Sequence, residues 1–178
     1  MNPAPRVPFH VYKSAAANGK PERTILSPLS PQEVQELRGL RDEAIIGELA
    51  PGATEVSAES FIPNRAFVQF LHNVLAIHAP KNPGLMAAAQ SGGTGQLLVL
   101  DKRVHVPVEQ QEPKDVIGVI DIQDGRLVKY TINPNHQLVT RDGYMVLDPW
   151  YQERLVEELK KLGYQPAPAG APPSAPRQ

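Results

Sequence analysis

Val116-Ile-Gly-Val-Ile-Asp-Ile122 and Arg126-Leu-Val-Lys-Tyr-Thr-Ile132, joined by Gln123-Asp124-Gly125, decide how this chain folds. Both are apolar or alternating runs. Asp-Gly between two such runs is the strongest short-range hairpin signal, because a type I′ turn needs positive φ at both central positions. In the second run Val128, Tyr130 and Ile132 alternate with Lys129 and Thr131, which predicts one half-buried apolar face. Asn133-Pro134-Asn135-His136 then reads as a turn, followed by short strands over 137–140 and 144–147 split by Arg141-Asp142-Gly143. The stretch 116–147 is therefore predicted to be a four-stranded antiparallel meander, and the apolar residues 97–100 within 96–106 add a strand at one side.

Helical segments flank this region. Ser30-Pro31-Gln32-Glu33 has the form of a capping box, and Val34, Leu37, Leu40, Ala44 and Ile45 follow at helical spacing, which predicts a helix ending near Gly47. A second helix is expected from about Pro63 to Ala79, with Phe67, Phe70, Leu71, Val74, Leu75 and His78 on one core stripe. Asn82 and Pro83 open a third, running through Leu85 to Gln90 and ending at Gly92-Gly93. Asp148 and Pro149 open a fourth, with Tyr151, Leu155, Leu159 and Leu162 on one face. Helices segregated from strands, rather than alternating with them, predict an α+β fold: a mostly antiparallel sheet of four to six strands with helices packed on one face.

A chain of 178 residues is long enough for one domain that buries ~70% of its unfolded surface. That domain is expected over 25–164, between a Pro-containing extended arm at 1–24 and a disordered Pro/Ala-rich tail at 165–178. In the arm, Val7, Phe9 and Val11 alternate, so 7–12 fits an edge strand. Eighteen basic against nineteen acidic side chains give a net charge of -1, which leaves no field to steer nucleic acid, and neither nucleic acid nor membrane is expected as a partner. With no cysteine and no apolar run near the length of a membrane span, a cytoplasmic location is the default expectation.

The motifs for chemistry are sparse. Gly92-Gly93-Thr94-Gly95 follows a helix and precedes a strand, the reverse of a phosphate loop, so it reads as a connector. His10, His72, His78, His105 and His136 form no ligand spacing, and neither a metal nor a cofactor is expected. His78 is assigned to the core because it lies in the apolar stripe. Residues 133–144 resemble, over about a dozen positions, the Asn-His-Pro-x-x-Thr segments of intein and hedgehog-type self-splicing domains. The nucleophile and the terminal His-Asn pair of those domains have no counterpart here, so autoprocessing is not expected.

Asn133, Asn135, His136, Arg141 and Asp142 make the densest polar group of the strand region and are the candidate ligand-binding residues. No catalytic residue stands out. The expected function is a non-enzymatic protein-interaction or scaffold module with another protein as partner. The alternative is a small-molecule-binding protein or hydrolase using the polar turns at 133–142.

Overall fold

The computed structural model describes residues 7–16 and 18–164. The tail at 165–178 and the first residues of the arm lie outside that range. The fold is α+β, with every strand pair antiparallel, and the described chain divides into two compact units.

The first unit comprises residues up to Phe70 together with those from Leu155 onward. Its sheet runs β1 (His10–Ser14), β2 (Arg23–Ser27), β3 (Gly47–Leu49) and β4 (Phe61–Pro63) in that spatial order. The arm forms an edge strand over His10–Ser14 rather than 7–12, and in this sheet rather than beside the strands of 96–147, with His10 opposite Ser27 and Ser14 opposite Arg23. Helix α1 (Pro31–Glu36) opens on the predicted capping box: Ser30 Oγ accepts from Glu33 N, and Glu33 Oε2 accepts from Ser30 N at 2.8 Å. It stops after six residues, not near Gly47, because Arg38 and Gly39 both take positive φ and turn the chain out of the helix. Gly47 instead belongs to β3, where a Cβ would collide with the Phe61 ring and the Ile62 carbonyl. A glycine that marks a helix end in the sequence is here a strand residue under an aromatic ring. Leu26, Leu29, Ile46, Phe61 and Phe67 are among the buried residues of this unit, together with Leu155 and Leu159.

Helix α2 (Arg65–His78) passes from the first unit into the second. It starts two residues later than expected, because Pro63 ends β4 and Asn64 supplies the cap, its Oδ1 accepting from Ala66 N at 3.1 Å. The second unit, Leu71–Arg154, continues with α3 (Pro83–Gly92), β5 (Gly95–Leu100), β6 (Val116–Gln123), β7 (Arg126–Ile132), β8 (Val139–Thr140) and β9 (Gly143–Tyr144). Helix α4 (Pro149–Tyr164) starts there and ends in the first unit. Asn82 caps α3 and Asp148 caps α4, both as the sequence predicts.

The strands of 116–147 do not form one meander. β6 and β7 make the expected hairpin, β5 pairs on the other side of β6, and β8 and β9 form a separate two-stranded ladder. Two contacts explain the break. Asn133 Nδ2 donates back to Pro113 O and Val116 O, which ends β7, and the Arg103 guanidinium takes carbonyls around β8 and β9. A bulge also shifts the register within β7. Ile122 faces Leu127 and Asp121 faces Lys129, so Val128 has no partner and stands 53% exposed instead of sharing a buried face with Tyr130.

The hairpin turn has the predicted geometry, with Asp124 at φ 50° and Gly125 at φ 73°. A Cβ on Gly125 would meet only ordinary contacts near Ala89 and Gln90, so Gly125→Ala is penalised by backbone conformation alone. The substitution is expected to lower stability by about 1 kcal/mol, seen as a lower urea midpoint at unchanged slope. An unchanged midpoint would contradict the type I′ assignment.

Candidate functional site

Asp101 and Arg103 follow β5 directly, where the chain leaves the sheet. Arg103 has 2% of its side chain exposed, and Asp101 and Asp115 are equally enclosed. The guanidinium lies 2.8 Å from Asp101 Oδ2 through Nη2 and 3.3 Å from Asp115 Oδ1 through Nε. Its other acceptors are Gly143 O at 2.9 Å, Thr140 Oγ1 at 3.3 Å, Leu138 O and Lys114 O at 3.4 Å, and Gln137 O. A buried charge is tolerated when it is paired and hydrogen-bonded, and a planar five-donor fork suits several acceptors at once; here the Nε contact to Asp115 Oδ1 is an ion pair without hydrogen-bond geometry.

Asp101 serves a second strap. Its Oδ1 accepts from Arg103 N at 3.1 Å and Val146 N at 2.9 Å, while Lys102 N donates to Val146 O. Its Oδ2 accepts from His136 Nε2 at 3.0 Å. At the rim, Lys114 Nζ contacts Asp115 at 2.8 Å and Asp142 at 2.9 Å. The hydrogen bond from Lys114 holds the Asp142 carboxyl below its ordinary range, and the bonds to Asp115 and then Asp142 push the Lys114 ammonium up. Burial, reinforced by the Asp101 charge, raises the Tyr144 phenol.

The five residues singled out in the sequence are thus separated in role. His136 joins the buried cluster and Asp142 its rim. Asn133 is a main-chain staple whose Oδ1 also accepts from Asn135 N at 3.1 Å. The Asn135 and Arg141 side chains are exposed and bond to nothing in the cluster. Asp101-Lys102-Arg103 has no paired acid at a motif spacing, and Lys114 and Asp115 stand too far along the chain to signal a partner for it. The available signal was Asp101-Lys102-Arg103 standing directly after a continuous apolar strand.

A second polar contact crosses the same unit. His72 is 6% exposed, and its Nδ1 lies 2.9 Å from Tyr130 Oη. The Tyr130 ring lies over Gly118 of β6, where a Cβ would stand 2.5 Å from the ring and its hydroxyl. Only a glycine lets the phenol reach the imidazole. His78, assigned to the core in the sequence, is instead half-buried with its ring edge-on to Trp150 at 6.4 Å. It is the last residue of α2, where the stripe runs out, whereas His72 stands mid-helix on the flank that meets Tyr130. Burial, and after it the neighbouring His136 charge, lowers the His72 pKa from 6.5 to about 4.

Chemically, the Asp101 carboxylate against Nε2 orients the His136 ring. Among the described residues no hydroxyl is bonded to that ring, and no group of His and acidic side chains could hold a metal ion. No helix of the described residues is long and apolar enough to cross a membrane. No known protein family, characterised protein or solved structure matches the chain.

Two outcomes follow. Arg103→Ala strands two buried carboxylates and is expected to cost roughly 3–5 kcal/mol in urea unfolding at neutral pH. A loss under about 1 kcal/mol would remove Arg103 from the centre of the unit. For His72, the folded pKa lies below the unfolded one, so its stabilising effect is complete above pH 6.5 and is lost as pH falls toward about 4. His72→Gln keeps a hydrogen-bonding side chain without titrating there. It should flatten the stability profile across that window, and an identical profile for both proteins would refute the assignment.

Proposed function

We propose that the chain is a non-enzymatic protein-interaction module of the cytoplasm, and that β7 is the edge it offers. The observation that carries this reading is the exposure of Val128 and Ile132, 53% and 51%, on a strand that pairs on one side only, with β6, among the described residues. Arg126 and Lys129 are exposed on the same strand without an acidic partner among the described residues. An extended segment carrying apolar and acidic residues would add to such an edge by main-chain pairing, with its side chains supplying specificity. The bulge at Val128 and the charge of Lys129 are the features that keep an edge from pairing indiscriminately. They limit regular pairing to Lys129–Ile132, opposite Asp121–Gly118 of β6, and so favour a short, selective contact.

The alternative, a small-molecule site or hydrolase at 133–142, has the His136–Asp101 pair in its favour. Against it, Asp101, Arg103 and Asn133 are engaged with one another or with the main chain. Groups already paired inside a fold have little left for a substrate.

The test is affinity capture from cells that make the protein, comparing wild type with Ile132→Asp and with Arg141→Ala. The reading expects a stoichiometric protein retained by wild type and Arg141→Ala but lost from Ile132→Asp, with thermal unfolding of all three unchanged. Loss from Arg141→Ala and retention by Ile132→Asp would transfer the function to the polar turns.

A further inference from the structure

The loop that ends α1 keeps a residue in an unfavourable backbone conformation. Leu37 caps the helix, Arg38 has φ 59°, and Gly39 follows. Arg38 N donates to Gln35 O at 3.1 Å and Gly39 N to Val34 O at 3.0 Å, the pair of bonds that closes a Schellman motif. The left-handed position of that motif is usually glycine, because a Cβ there crowds the following carbonyl. Here it is arginine.

Beside this loop lies a cavity of about 110 Å³ walled by Leu29, Leu37, Leu40, Ala44, Leu159 and Leu162. Arg38 and Arg41 are its charged lining residues. Leu29, Ala44 and Leu159 are buried whereas Arg38 is exposed, so the lining combines enclosed hydrocarbon with an arginine in contact with solvent. The end of α4 approaches Leu37 closely only because residue 163 is glycine, since a Cβ there would stand 2.8 Å from Leu37 Cδ2. Arg38 has no acidic partner among the described residues, and the adjacent Glu36 is engaged by Lys160 at 3.8 Å and by Gln32 at 3.0 Å.

We propose that this cavity binds a short aliphatic carboxylate, with its chain among the leucines and its head group on Arg38. A cavity of about 110 Å³ between these leucines has room for a chain of a few carbons. The guanidinium fork matches a carboxylate with two parallel hydrogen bonds. The proposal also accounts for the retained strain, because glycine at position 38 would relax the backbone and remove the head-group contact. Complementing the carbonyl end of α1 is a weaker explanation. That helix has six residues, and its Val34 and Gln35 carbonyls already accept from Gly39 and Arg38.

The experiment is a titration of the full chain with hexanoate, followed by calorimetry and by amide chemical shifts, with 1-hexanol as the uncharged control. Saturable binding is expected, with shifts at Leu40, Ala44 and Leu159, and hexanoate tighter than hexanol by about tenfold or more. Arg38→Gly should unfold at the same or a higher temperature than wild type and bind hexanoate about tenfold more weakly or worse. Three results would each overturn the proposal: no saturable shift at those residues, equal affinity for acid and alcohol, or undiminished hexanoate affinity in Arg38→Gly.

Discussion

Burying a guanidinium leaves a protein few choices of surroundings, and the second unit is arranged to meet that constraint. Arg103 is reached by carboxylates on both sides and by carbonyls from 114, 137, 138 and 143, so short segments outside the β5–β6–β7 sheet are fixed by a side chain rather than by a long ladder. The short β8–β9 pair could not hold its place through its own few main-chain bonds. Such a network adds little stability over a hydrocarbon core of the same volume. What it adds is specificity: the planar fork accepts one arrangement of loops and leaves alternatives with unpaired charge.

The same reasoning explains where the sequence was legible. Features written within a few residues were readable. The capping box at Ser30, the caps at Asn82 and Asp148, and the Asp124-Gly125 turn all depend on local backbone chemistry, and each stands where the pattern put it. The α+β class followed from the segregation of those local signals.

Features that depend on distant partners were not readable. Gly39 and Gly47 look alike as sequence punctuation, yet Gly39 ends a helix and Gly47 sits in a strand beneath Phe61. The even alternation of β7 gave no hint of a bulge, because Val128 is displaced by the register of β6 and not by its own neighbours. For the polar turns, composition identified the region but not the roles. His136 and Asp142 reach Asp101 and Lys114 across long sequence separations, while Asn135 and Arg141, just as polar, make no side-chain hydrogen bond to the cluster. His72 was passed over for His78 because a helical wheel treats the last turn of a helix as equal to its middle.

The β6–β7 hairpin also bears on the order in which the second unit assembles. Its ends are joined by a two-residue turn already suited to left-handed φ, so closing it loses little chain entropy and hairpins of this kind form in about 1–10 μs. The Arg103 network needs residues 101, 115 and 136–143 together, and a partial set would leave desolvated charge without partners. Closing the hairpin therefore costs far less chain entropy than assembling the charge cluster, whose contacts join residues 35 apart in sequence.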